Sequence, residues 1–336
     1  MLATRLVLAP ALAFALTLPG AKEKLVFAPA AGTTLQRTCS SIFALELESM
    51  SVQFNGEDIP AEYLGDMDGS MGHEERFTVT DVIEVMGDGR PTRLVRSFDE
   101  LSGKETATFG GEDGEETKET PKSSELEGKR VVFAWNEDDG AHEAAFAEGV
   151  EGDEALLADL EEDMDLRELL PGHEVAPGDH WEIEPVVFDR LLSPGGDLAL
   201  VGEDEEEEDD DEDSPEENMT GSVVATYRGS EVVEGVKLAV IELAVEVETF
   251  EDEEPADEEL PAGFTSTQRL EMEIVAAGEL RWDLEHGHLA GIELAGDLRM
   301  RMAQTMSGEM ESESFEQAQT MEFLGPITFA FTVERR

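Results

Sequence analysis

Apolar and polar residues alternate along most of this chain, and a period of two predicts strands that bury one face. In IELAGDLRMRM, Ile292, Leu294, Leu298, Met300 and Met302 fall on one side, with Glu293, Asp297, Arg299 and Arg301 on the other. LAVIELAVEVETF repeats the pattern with Ile241, Leu243, Val245 and Val247, and RLEMEIVAAGELRWDLE with Leu270, Met272, Ile274, Leu280, Trp282 and Leu284. VVFAW groups Val131, Phe133 and Trp135, and ITFAFTV groups Phe329, Phe331 and Val333. One apolar face per strand is the pattern of an antiparallel sheet that covers a core on one side. Several of these segments are longer than the usual strand of about five or six residues, so they must coil or bulge. In IFALELESMSVQF, Phe43, Leu45 and Leu47 share one parity while Met50, Val52 and Phe54 share the other. A bulge near Glu48 returns both sets to one face.

The connections read as hairpins at 86–91 (MGDGRP), 233–236 (VEGV) and 285–288 (EHGH), each with a glycine available for positive φ. One stretch has helical spacing instead. Over 153–170, Leu156, Leu160 and Met164 recur every four residues and Leu157 and Leu169 widen the stripe, with Asp153 as N-cap and Pro171 as the stop. Such a helix can lie across the concave face of a curved sheet. The run EDEEEEDDDEDSPEE at 203–217 cannot pack and predicts a disordered acidic linker between a 22–202 half and a 218–336 half. The runs at 111–124 and 251–263 read as shorter solvated loops. The expected fold is therefore mainly β: long, coiled antiparallel meander sheets, half-barrel-like, in two related halves, with one prominent helix near 153–170.

Composition narrows the partners. The 23 Lys and Arg residues face 81 Asp and Glu, a net charge of −58, yet 40% of residues are hydrophobic, enough for a core. Such a field repels nucleic acid and anionic membrane surfaces, and it draws counter-cations. The carboxylates of 203–217 are expected to attract divalent cations diffusely. The first residues, MLATRLVLAPALAFALTLPGAKEK, have the layout of a secretory signal over 1–21, with Arg5 before the apolar run Leu6–Leu18 and small residues at Gly20-Ala21. That run is shorter than the roughly 20 residues that span a bilayer. An exported protein, periplasmic or extracellular, is expected, with no membrane span in the mature chain. Cys39 is the only cysteine, so no intramolecular disulfide forms and packing must carry stability.

LLPGHEVAPGDHWEIEP, 169–185, holds His173 and His180 seven apart across two Pro-Gly turns, a spacing of no ligand motif, and reads as a turn feeding a strand. DMDGSMGHEE at 66–75 fails the calcium-loop pattern because Gly69 follows Asp68 directly, and reads as a loop before the strand of Phe77, Val79 and Asp81. His286 and His288, with Asp283 and Glu285 near, sit on a hairpin tip where polar residues are ordinary. G-x-S-x-G, Walker, H-E-x-x-H and C-x-x-C motifs are missing from the sequence. No enzyme activity, cofactor or metal is expected. Met272, Met300, Met302, Met306, Met310 and Met321 crowd the last seventy residues, and methionine fills cores and adaptable binding surfaces alike.

The runs DGRPTRLVRSFDELSGKET (88–106), SSELEGKRVVFAWNED (123–138) and LPGHEVAPGDHWEI (170–183) resemble a group of uncharacterised, exported, highly acidic bacterial proteins with no assigned activity. Long coiled strands with a helix in the concavity are similar in outline to periplasmic lipoprotein-carrier folds, a likeness of architecture alone. The expectation that follows is a non-catalytic exported protein that binds an apolar ligand or an envelope partner chain. Its concave face would be lined by Val245, Trp282, Leu294, Met300 and Met302 and by the helix stripe Leu156, Leu160 and Met164. An acidic, cation-associating surface protein is the alternative, and an exported hydrolase trails both.

Overall fold

The structure, a computed structural model, describes residues 22–60, 63, 68–111, 114–202, 218–253, 264–310 and 313–336. The signal-like segment 1–21, the acidic run 203–217 and most of the loop expected at 251–263 lie outside the described residues. In chain order the strands are β1 (Glu23–Lys24), β2 (Thr34–Phe54), β3 (Glu57–Asp58), β4 (Asp68–Gly87), β5 (Arg90–Gly111), β6 (Gly114–Ser123), β7 (Arg130–Asn136) and β8 (Ala141–Phe146). They continue as β9 (Glu174–Val175), β10 (His180–Ile183), β11 (Val201–Gly202), β12 (Thr220–Val233), β13 (Val236–Glu253), β14 (Phe264–Asp283), β15 (His288–Met310) and β16 (Glu313–Arg335). An α-helix, α1, spans Pro185–Leu192.

Fourteen strands form one antiparallel sheet that does not close into a barrel, in the order β10-β12-β13-β14-β15-β16-β2-β4-β5-β6-β11 with β3, β7 and β8 attached. In this order the strands of 218–336 are contiguous and border those of 22–202, from which β10 alone is displaced to the far edge. β16 pairs with β2 along most of its length, and β10 crosses over to pair with β12. All described buried apolar side chains that pack together form one core.

The long strands owe their curvature to local devices. Ser49 pairs with Glu322 and Leu47 with Phe323, so Glu48 is the extra residue of a bulge. Val52 and Leu45 are both buried as a result, on one face despite opposite parity. Farther along, Gly278, Gly296 and Gly325 lie on successive strands where backbones nearly touch. A Cβ at Gly296 would stand 2.1 Å from the Val275 carbonyl oxygen, and at Gly325 it would stand 1.9 Å from that of Ala44. Only glycine fits such an approach. Asp88-Gly89 and Glu234-Gly235 hold positive φ in two-residue hairpin loops.

Two expectations are corrected. The segment 111–124 is not a loop, because β6 pairs with β5 from Ser102↔Ser123 to Gly111↔Gly114. The segment 153–170 is not an α-helix either; it forms two 3-10 turns, Glu154–Leu157 and Arg167–Leu169. Its aspartates explain why. Asp163 accepts the backbone N–H groups of Asp165 and Arg167 at 3.0 Å each, Asp153 accepts that of Ala155, and Leu166 is left-handed at φ 51°. Side-chain bonds of this kind compete directly with helical ones. Of the stripe, Met164 and Leu169 are buried in the core, beside Leu166, and Leu156, Leu157 and Leu160 pack half-buried against it. The helix is α1 instead, opened by Pro185 at its first turn and burying Phe188 and Leu191. Residues 22–28, 147–176 and 185–200 form a cover on the sheet's inner face, the first two segments joined to each other where β1 pairs with β9.

Candidate functional site

The inner face has a covered half and a half beyond the cover, and a cluster of charged residues is buried within the covered half. On β2, β4 and β5, Arg37, Asp81 and Arg96 occupy positions of core parity among Leu35, Cys39, Val79, Ile83, Leu94 and Phe98. Asp81 and Arg96 are directly opposed across β4 and β5. The Asp81 carboxylate accepts from Arg96 Nε at 2.9 Å and from Arg37 at 2.7 Å. Arg37 also pairs with Asp165 of the cover. Arg96 donates to the backbone carbonyls of Glu161 and Glu162 at 2.8 and 2.9 Å and stacks over Phe133. Burial alone would lower the Arg37 pKa, but the facing Asp165 and Asp81 carboxylates outweigh it and raise it. This cluster of two cations and two anions is a latch between sheet and cover.

At the rim of the latch a cleft of about 570 Å³ is lined by Arg90, Trp135, His142, Glu162, Asp163 and Arg167 among others. Arg90 lies over the Trp135 ring at 4.0 Å. Glu162 meets Arg167 at 2.5 Å and faces His142 Nδ1 at 3.6 Å. Burial pushes the Glu162 carboxyl up to about 7, only partly offset by Arg167. Burial also lowers the His142 pKa, against the hydrogen bond of its Nε2 with the Pro91 carbonyl at 2.8 Å. A second cleft, about 620 Å³, opens where the cover ends against β4 and β5, between His73, Glu75, Phe77 and Lys122 on one side and Leu160 and Leu198 on the other.

Beyond the cover the inner face stays apolar on β14 to β2. Leu270, Met302, Met321 and Met50 stand opposite one another in register across four neighbouring strands. The next row is Met272, Met300, Phe323 and Leu47. Phe323 is fully buried, whereas Leu270, Met272, Met302 and Met321 are half-buried and pack onto the edge of the core. The outer face of the same strands is a ladder of ion pairs, Asp252–Arg269–Glu271–Arg301–Glu322.

Of the residues expected to line a ligand face, Val245, Trp282, Leu294, Met300 and Met164 are buried core, at 8% exposure or less. Leu156, Leu160 and Met302 are half-buried. Of these eight, Met302 alone belongs to the row beyond the cover. Met50, Leu270, Met272 and Met321 complete it, and cross-strand register rather than composition groups them. His173 and His180 are exposed and apart, His180 alternating with Trp181 and Ile183 on β10. The stretch read as a loop before Phe77 is already strand from Asp68 on. Cys39 is buried, and burial raises its thiol pKa, which leaves it unreactive as a nucleophile. At the β14–β15 hairpin tip, Asp283, His286 and His288 come together while Glu285 is exposed. Burial would raise the Asp283 carboxyl, but hydrogen bonds from the His286 ring and from the His286 and Glu285 N–H groups outweigh it, so its pKa lies below the usual range.

No protein-family model matches the chain, and a search of curated proteins found no match. Among the described residues no helix is long and apolar enough to cross a membrane.

Proposed function

We propose that the protein is an exported, non-catalytic binding protein that holds an apolar ligand, of the class of a fatty-acyl chain, on the inner face of its sheet beyond the cover. The observation that carries this reading is the registered row Leu270, Met302, Met321 and Met50, half-buried on four strands and bordering the core. Four strands spaced about 4.8 Å apart give an apolar track of roughly 14 Å, the length of about a dozen methylenes. Methionine suits a chain whose shape varies, because its thioether repacks at small cost. The signal-like sequence at 1–21 supports export, and the outline resemblance to periplasmic lipoprotein carriers agrees with a binding role.

A fluorescent fatty-acid analogue, titrated into the purified protein, tests the reading. Saturable binding is expected, weakened at least tenfold in Met302→Asp and Met321→Asp while the outer-face variant Arg299→Ala binds as the parent does. Absence of saturable binding, or binding indifferent to both methionine variants, would overturn it.

A further inference from the structure

The hairpin between β14 and β15 closes over the residues Asp283-Leu-Glu-His286-Gly-His288, and its tip is built unlike the other hairpin tips described above. Asp283 Oδ1 accepts the backbone N–H groups of Glu285 and His286, both at 2.8 Å, which fixes the carboxylate and leaves Oδ2 directed at the histidines. His286 Nδ1 lies 2.7 Å from that Oδ2, and His288 Nε2 lies 3.7 Å from it. The two imidazoles stack with their centroids 6.2 Å apart. One ligand atom from each of the three residues falls within 4.8 Å of the others.

The decisive atom is His288 Nε2. The His288 side chain is only 4% exposed, and its Nε2 has no hydrogen-bond partner. Its Nδ1 is 2.6 Å from the Leu289 carbonyl oxygen, an acceptor, so the proton sits on Nδ1. Nε2 therefore carries a lone pair, buried, with no donor to meet it. An orphaned acceptor in that position costs free energy in the apo protein. A ring N–H anchored on a carbonyl while the opposite nitrogen points into a cluster of ligand atoms is the arrangement found behind metal-bound histidines.

We propose that Asp283, His286 and His288 bind one divalent transition-metal ion of the zinc class, with water completing the coordination. Two imidazole nitrogens and one carboxylate oxygen suit zinc and disfavour calcium and magnesium, which take oxygen ligands. Tetrahedral zinc with bonds of 2.0–2.2 Å needs its ligand atoms about 3.3 Å apart. The two separations from Asp283 Oδ2 bracket that value, one above and one below. The metal replaces the proton shared by His286 and Asp283 and supplies the partner that His288 Nε2 lacks. The site is tied to the rest of the molecule on two sides. The Gly287 carbonyl accepts from Ala28 N–H at 2.8 Å, and Leu289 N–H donates to Asp165, the cover residue of the latch, at 3.1 Å. Metal binding at the tip thus stiffens the contact between hairpin and cover, independently of whether an apolar ligand binds elsewhere.

The experiment uses the full-length protein, stripped with a chelator and titrated with zinc against a chromophoric competitor in excess calcium. Calcium occupies the diffuse carboxylates, so tight one-to-one zinc uptake reports the hairpin site. His286→Ala, whose side chain is partly exposed and so spares the fold, should weaken zinc at least about 100-fold, since even outer partners of metal ligands are worth 10–100-fold. Cobalt(II) substituted into the wild-type protein should give the visible bands of a four-coordinate site with nitrogen ligands. Weak, many-site zinc uptake that His286→Ala leaves unchanged, or cobalt spectra of a purely oxygen-ligated octahedral ion, would overturn the proposal.

Discussion

Arg37 of β2 and Asp165 of the cover are 128 positions apart in sequence and form a buried ion pair, with Asp81 on the other side of the guanidinium. The second oxygen of Asp165 takes the Leu289 N–H, so one carboxylate ties β2, the cover and the β14–β15 hairpin together. Asp81 is the sole carboxylate that both buried arginines of the latch share. Removing its charge leaves Arg37 and Arg96 facing each other in the interior. Asp81→Asn is therefore expected to cost about 3–5 kcal/mol in urea unfolding. Asp165→Asn, which leaves Arg37 its pair with Asp81, should cost less but speed limited proteolysis within 147–200. Equal unfolding midpoints for Asp81→Asn and the parent would show that the latch does not hold the fold.

The Glu162 carboxyl releases its proton near pH 7 in the folded protein but near 4.5 when unfolded. Between those values the folded state holds a proton that the unfolded state has lost. Stability from this group is thus complete below about pH 4.5 and declines as pH rises toward 7, by at most about 3 kcal/mol. Other acids superimpose their own slopes, so the comparison with Glu162→Gln isolates the effect. Unfolding free energies measured from pH 4.5 to 7.5 should fall less steeply for the variant; parallel curves would refute the assignment.

Neighbouring methionines on one strand should respond differently to the same substitution. Met300 is 8% exposed and packs in the core, so Met300→Ala is expected to cost about 2–5 kcal/mol through lost burial and a cavity. Met302, two positions on and half-buried, should cost under about 1.5 kcal/mol as alanine. Denaturation midpoints of the two variants check this, and a Met302→Ala loss as large as that of Met300→Ala would place the row inside the core.

The glycine line across β14, β15 and β16 is tested at its centre. In Gly296→Ala the new methyl would lie 2.1 Å from the Val275 carbonyl oxygen and 2.5 Å from Ala276 Cα, both backbone atoms. Relief requires the strands to part, so a loss above about 2 kcal/mol is expected in thermal or urea unfolding. Gly89→Ala, at an open hairpin turn, provides the contrast: its penalty is only that of the positive φ, about 1 kcal/mol.

Much of the sheet was legible because period-two alternation is a direct record of which face is buried. Ile241 to Val247 and Ile292 to Met300 sit where their parity puts them, and the change of parity at Glu48 located the bulge. The latch also left a trace, since Arg37, Asp81 and Arg96 are charges at apolar parity between buried neighbours, but pairing them required the register of β2, β4 and β5. What misled was the leucine stripe at 153–170. Spacing of three and four marks residues that point the same way on a helix, and a chain bent by Asx turns can send the same leucines inward. Asp163 and Asp165 decided between the two through bonds that spacing does not show. The row through Met302 needed still more, because its members come from four strands and meet only through cross-strand register.

β16 lies between β15 and β2, and this placement sets a timetable. Ser49 and Glu322, hydrogen-bonded across the β2–β16 boundary, are 273 positions apart. During synthesis β2 emerges early and can pair with β4 on one flank only; its other flank stays open until nearly all the remaining strands have been made. Synthesis therefore delivers a meander whose first long strand is an unpaired edge, a template for wrong partners until β16 arrives. Closing that seam joins strands far apart along the chain, which is the slowest kind of contact to form.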